Sequence, residues 1–180
     1  MALILATSAC HVDGSPTPVS TAQKSAHPGA FPNRVNPGND GSSYEPCAEA
    51  NRNDLEQLGW EWSTRRDAAL VDKQTARGCV WKDSSAGSRW TLSQVVGNSP
   101  SLTAYRRTNS DFDWQPDQTV GGRTVAVYVM DSSTCVTRVQ SQRAGVNTIV
   151  SYNSLPAPPI SEICSRAIAF TRATISRMPE

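Results

Sequence analysis

A chain of 180 residues and 19.4 kDa holds one domain of ordinary size, or a smaller domain with a tail. A formal charge of +1 and a pI near 7.6 argue against a nucleic-acid binder, which carries a strong basic excess. Charged residues make up only 18%, and leucine, isoleucine, valine and phenylalanine together fill 32 positions, a thin apolar stock of the kind that small folds supplement with staples.

The chain opens with the apolar run Met1-Ala2-Leu3-Ile4-Leu5-Ala6, followed by Thr7-Ser8-Ala9-Cys10. Small residues directly before a cysteine, after an apolar segment, form the pattern of a bacterial lipoprotein signal. There the small side chains fit the peptidase and the cysteine thiol carries a diacylglyceryl group. Residues 1–10 are therefore expected to be the remnant of such a signal, ending at a lipidated Cys10 with acyl chains such as palmitate. The run lacks a basic leading region and is shorter than a usual signal, as a late-assigned start or a clipped signal would be. A chance apolar N-terminus is the alternative. Two acyl chains anchor stably, because each buried CH₂ contributes about 0.8 kcal/mol.

Residues 11–43 show neither a helical nor a strand period. Pro16, Pro18, Pro28, Pro32 and Pro37 alternate with Gly14, Gly29, Gly38 and Gly41. Such a stretch buries too little apolar surface to offset its ordering entropy, so a disordered tether is expected. As a flexible coil it would hold the domain roughly 30 Å from its anchor. His11 and His27, the two histidines of the chain, both fall within it.

Residues 44–180 read as a single α+β domain. Ala48 to Leu58 forms a helix stopped by Gly59. Trp60 to Ser63 starts a strand, and residues 64–77 read as a polar loop or weak helix. Cys79-Val80-Trp81 is strand-like. Arg89 to Val96 is a strand in which Trp90, Leu92, Gln94 and Val96 alternate against Thr91, Ser93 and Val95. Ser99-Pro100 offers an N-cap for a short helix over 101–108, and residues 109–117 form a polar loop. Gly121-Gly122 is a hairpin signal joining 118–120 to 123–130. Strands follow at 135–140 and 146–152. Leu155 to Pro159 ends the sheet, and Ile160 to Arg177 is a helix with the apolar stripe Ile160, Ile163, Cys164, Ala167, Ile168, Thr171 and Ile175. The sum is a mostly antiparallel sheet packed with an N-terminal and a C-terminal helix.

Cys47, Cys79, Cys135 and Cys164 are the cysteines of this domain, and four cysteines allow three pairings. The preferred one joins Cys47 to Cys79 and Cys135 to Cys164, each tying a terminal helix to a neighbouring strand and closing a loop of about 30 residues for roughly 3–4 kcal/mol. Four free thiols in a reducing compartment are the alternative. No C-x-x-C spacing and no histidine occur in the domain, so zinc is not expected.

Pro46-Cys47, the helix ending Leu58-Gly59, Cys79-Val80-Trp81, Gly121-Gly122-Arg123, Cys135-Val136 and the last helix with Cys164 and Met178-Pro179 together resemble the domain of unknown function 3558 family. The resemblance spans roughly residues 44–179. It implies an actinobacterial envelope lipoprotein, on the outer face of the plasma membrane, with no established activity. In outline it is similar to the Mog1/PsbP-like α+β sandwich. Fold analogy confers no function.

No histidine remains in the domain to activate a serine or cysteine, and Gly-x-Ser-x-Gly, a P-loop and His-Glu-x-x-His are all absent. No catalytic residue, metal or cofactor is therefore assigned. Paired carboxylates, Glu56 with Glu61 or Asp111 with Asp113, leave open an envelope hydrolase or transferase; solvated surface charge is the simpler reading. Asn109, Asp111, Asp113, Gln115 and Asp117 alternate as calcium ligands would. Trp114 and Val120, however, stand where a calcium loop needs Gly and Glu. Trp81 and Trp90 are expected in the core. Trp60, Trp62 and Trp114 are candidate anchors of a binding surface, with packing against the disulfides as the competing role. Arg65-Arg66 and Arg106-Arg107 would meet phosphate or carboxylate groups on lipids or wall polymers, or simply stay solvated. The expected protein is a monomeric, non-catalytic binding module of the cell envelope. It would be tied to the membrane by lipid and face an envelope protein, lipid or wall polymer, with no nucleic-acid partner.

Overall fold

The computed structural model describes residues 31, 34–69, 74–85, 87 and 89–180. Cys10, His11, His27 and the first twenty residues of the expected tether lie outside the described residues. No helix among those described is long and apolar enough to cross a membrane.

Seven antiparallel strands form one sheet: β1 (Trp60–Asp67), β2 (Ala76–Asp83), β3 (Trp90–Asn98), β4 (Asp113–Val120), β5 (Arg123–Asp131), β6 (Thr134–Ser141) and β7 (Ala144–Tyr152), in the order β1-β2-β3-β7-β6-β5-β4. Each consecutive pair except β3–β4 is a hairpin neighbour. The long return from β3 through the short helix α2 (Leu102–Thr108) to β4 places β4 at the far edge. The turn joining β4 to β5 is Gly121-Gly122, with φ of +56° and +80°. Two successive positive φ values are what a type I′ turn requires, which makes the glycine pair the hairpin's determinant.

The expected α+β architecture is the observed one. Helix α1 (Arg52–Gln57) follows a 3-10 turn at Glu49–Asn51 and ends at Gly59, whose φ of +81° suits a glycine terminator. Helix α3 (Ile160–Thr174) lies across β6 and β7. Its fully buried stripe is Ile163, Ala167, Phe170, Thr171 and Thr174, while Ile160, Cys164 and Ile168 are partly covered. The buried face is thus turned toward Phe170 relative to the stripe expected from aliphatic spacing.

Both disulfides form as preferred. Cys47 joins Cys79 across 32 residues with Cα atoms 5.4 Å apart, and Cys135 joins Cys164 across 29 residues with Cα atoms 5.1 Å apart. They sit in the larger apolar cluster, with Leu55, Trp60, Trp81, Leu92, Ile163 and Phe170. A second cluster holds Tyr44, Val96, Val125, Val139, Val146 and Met178. A polar seam lies at the same sheet–helix interface. The Tyr44 hydroxyl donates to Gln94 (2.7 Å), and the Gln94 amide donates to Thr148 (3.0 Å) and Thr174 (3.1 Å). Thr171 links Thr137 and Thr148. Each buried group is satisfied by another, as a buried polar network must be to be tolerated. Gln94 belongs to the inward face of β3, where the alternation of Trp90, Leu92 and Val96 places it.

Four expectations are corrected. The expected tether over 11–43 gives way to packed chain at least from Arg34. Asn39 and Ser42 are buried, and Asn98 holds Gly41 N–H (2.6 Å) and the Pro37 carbonyl (2.8 Å). Asn, Gly and Pro there build turns with tertiary partners rather than a loose coil. Residues 64–67, expected in a loop, extend β1, and residues 113–117 begin β4. Both are sheet edges, where charged and polar side chains, or Pro116 at the break in the β4 register, suit an unpaired flank. Finally, α2 is capped by Ser101 rather than Ser99, since its hydroxyl accepts the Ala104 N–H at 3.1 Å.

Candidate functional site

Strand β6 is buried on both faces. One face carries Cys135, Thr137 and Val139 against α3. The opposite face carries Val136 and Arg138, covered in part by α2. Side chains alternate along a strand, so a strand covered on both sides must bury whatever its sequence places outward. Here that residue is Arg138, which is 3% exposed.

Arg138 pairs in register with Asn147 on β7, and its Nη1 donates to the Asn147 Oδ1 at 2.7 Å. The Tyr105 ring from α2 lies over the guanidinium, 3.5 Å from centroid to Cζ. Such a cation–π contact is worth about 2 kcal/mol when desolvated. The ring is held by a hydroxyl contact of 3.0 Å between Tyr105 and Tyr128. The Nε of Arg138 is buried and has no hydrogen-bond partner among the described residues. Burial lowers the Arg138 pKa, opposed by the neighbouring tyrosines, and burial raises the Tyr128 phenol, as does its hydrogen bond to Tyr105.

Two other well-anchored arginines show what full compensation looks like in this fold. Arg77, 1% exposed, pairs with Glu45 (2.9 Å) and donates to the carbonyls of Asn39, Ser42 and Tyr44. Arg123 donates to the carbonyls of Ile175 and Met178 near the C-terminus and to that of Gln140 on β6. Among the described residues Arg138 has one neutral acceptor.

Arg138, Tyr105 and Asn147 form part of a cleft of about 500 Å³ between α2 and the sheet. Val95 and Gly97 of β3, Ser99, Thr108 and Asn109 complete much of its wall, and Arg107 stands at its rim. No aspartate or glutamate is among these described lining residues. Arg107 is exposed and makes no ion pair among the described residues. Its neighbour Arg106 points elsewhere, ion-paired to Asp117 and over the Trp114 ring at 4.9 Å. Consecutive helical residues do not share a face, so the expected basic pair is split: one arginine is neutralised and the other is directed to the cleft.

The expected aromatic surface is largely core. Trp60, at the start of β1, is 2% exposed and packs in the core cluster with Leu55 and the Cys47–Cys79 bond, the packing role of its two alternatives. Trp62 is half-buried, stacked on Trp81 at 6.2 Å and covered by Arg65 at 4.6 Å. Trp114 is half-buried against Tyr128 at 4.8 Å, with its indole N–H donating to the Asn109 carbonyl. Trp81 and Trp90 are core as expected. The alternating oxygens of 109–117 do not form a calcium loop: on strand β4, Asp117 turns to Arg106 while Asp113 and Gln115 face a groove beside α3. Among the described residues no group of three or more Cys, His, Asp or Glu is placed to hold a metal. Of the paired carboxylates, Glu56 pairs with Arg52, and Glu61 accepts from Ser63.

Arg138, Tyr105 and Asn147 carry no local sequence motif that marks them as a site. The available signal was the arginine at an alternate position between Thr137 and Val139 in a valine-rich strand, which becomes informative only once β6 is known to be central.

No curated protein and no solved structure matches the chain. The model of a family described as protein of unknown function (DUF3558) matches residues 5–177. With nearly its whole length matched, and with the disulfide-stapled α+β domain inside that span, the chain belongs to the DUF3558 family.

Proposed function

We propose that the chain is a lipoprotein of the cell envelope, anchored through acyl chains on Cys10 to the outer face of the plasma membrane, and that its domain is a non-catalytic binding module. The observation that carries the location is the pair of disulfides that engages all four domain cysteines. Such bonds form and persist in oxidising, extracytoplasmic compartments. Thr7-Ser8-Ala9-Cys10 after an apolar run supports the anchor. The binding role is supported by the cleft beside α2, whose polar groups converge without an acid–base pair among its described lining residues. The engagement of Glu56 by Arg52 and of Glu61 by Ser63 weighs against an envelope hydrolase or transferase built on them.

The test is fractionation of intact cells expressing the full precursor or its Cys10→Ala variant. The proposal expects the unaltered protein with the membranes, accessible to protease from outside, and the variant released. Retention of Cys10→Ala on membranes, or protection of the unaltered protein inside the cell, contradicts it.

A further inference from the structure

We propose that the cleft between α2 and the sheet binds an oxyanion, the carboxylate or phosphate group of a ligand, with Arg138 as the fixed cation at its floor and Arg107 as the mobile cation at its rim. This deepens the binding role proposed above and rests on it, but not on the lipid anchor.

Three observations converge on it. First, Arg138 is 3% exposed, yet it has no carboxylate partner, a single neutral acceptor in Asn147 and an Nε without any hydrogen bond among the described residues. A buried charge is normally paired, and this chain does pair Arg77 with Glu45. Second, the guanidinium is held from both sides. Tyr105 covers one face at 3.5 Å, and on another side the backbone of Gly145 approaches so closely that a β-carbon there would stand 2.0 Å from Nη2. A planar group clamped in this way loses little freedom when it meets an anion, the pre-organisation that favours arginine at oxyanion sites. Third, the described residues lining the cleft supply two arginines, several hydroxyl and amide donors and no acid, so the local field favours a negative guest.

The order of events follows from exposure. Arg107, exposed and in no ion pair among the described residues, meets the anion first. Arg138 receives it in a less solvated setting, where a charge-assisted hydrogen bond is stronger. Tyr105, hydrogen-bonded to Tyr128, keeps the guanidinium from swinging away.

The test follows the arginine Nε–H and asparagine side-chain signals of the ¹⁵N-labelled, disulfide-intact protein by NMR. Sodium acetate, sodium phosphate and sodium chloride are titrated separately at constant ionic strength. The proposal expects a saturable shift of the Arg138 and Asn147 signals with acetate or phosphate, half-complete at about 1 mM, and none with chloride. A stronger response to one probe identifies the oxyanion class. In Arg107→Gln the response should weaken by about tenfold, the loss of one charge-assisted contact. Because Arg138→Gln removes a buried residue and can fail to fold, Thr108→Glu serves as the second variant. It changes an exposed residue on α2 and places a carboxylate at the cleft, so it should abolish the response in a folded protein. An absence of saturable shifts, an equal response to chloride, or an unchanged response in Thr108→Glu overturns the site. That failure leaves the anchored location standing, since fractionation reads it separately.

Discussion

The guanidinium of Arg138 rests against the backbone of Gly145: a β-carbon at Gly145 would lie 2.1 Å from Cζ and 2.7 Å from Nε. Gly145 does not have a positive φ among the glycines of this fold, so its small size serves close approach rather than backbone conformation. Gly145→Ala should therefore destabilise the domain by about 1–3 kcal/mol, the usual cost of overpacking a tight interior. Urea denaturation measures this directly. Wild-type stability in the variant would mean that the arginine is free to move aside.

Arg77 is the strap that holds residues 39–45 to the sheet, through Glu45 and three backbone carbonyls. Arg77→Met leaves Glu45 buried without its cation and should cost about 3–5 kcal/mol near neutral pH. Burial already raises the Glu45 carboxyl above its ordinary value, while the Cys47 N–H and Arg77 hold it down. Without Arg77 the folded-state pKa rises further. A carboxyl whose folded pKa exceeds its unfolded one stabilises below the unfolded value, and that stability is lost as pH rises through the folded value. The deficit of Arg77→Met relative to wild type should thus shrink as pH falls through the carboxylate range. Denaturation at several pH values reads it, and a deficit that grows on acidification contradicts the assignment.

The bond between Cys135 and Cys164 fixes α3 to β6 across 29 residues. The double variant Cys135→Ala/Cys164→Ala should lose about 2–5 kcal/mol and unfold at a lower temperature in calorimetry. An unchanged unfolding temperature would show that packing by Ile163, Ala167 and Phe170 alone docks the helix.

Trp60 and Trp62 lie two residues apart on β1, yet their surroundings differ: one is enclosed by the core and the other is stacked on its rim. Trp60→Ala should cost about 3–5 kcal/mol, as for a large buried aromatic. Trp62→Ala should cost distinctly less, because only part of the ring leaves water. Equal losses by denaturation would contradict the burial difference.

What could be read in advance follows from where local chemistry and global packing agree. Gly121-Gly122 dictates its own turn, and Trp90, Leu92, Gln94 and Val96 share a strand face whatever they meet. Cys47 and Cys164 lie beside the terminal helices, each about 30 residues from a strand cysteine, and that spacing points to the pairing that forms. The parts that local sequence conceals are those whose partners are distant in the chain. Asn36, Asn39 and Gly41 look like linker until Gln74, Arg77 and Asn98 accept or donate their hydrogen bonds. Arg65, Arg66, Asp113 and Asp117 look like loop until strand order makes β1 and β4 the edges. The cleft belongs to the same class. Arg138 and Tyr105 are 33 positions apart and meet only because the return from β3 lays α2 across β6.

Where this domain folds and how it is held there are tested at once by mass spectrometry of protein extracted from its native cells, with thiols blocked at lysis. The predicted result is an N-terminal peptide beginning at Cys10 with the added mass of a diacylglyceryl group, and the linked peptides Cys47–Cys79 and Cys135–Cys164. An unmodified Cys10 together with four alkylated domain cysteines would contradict it.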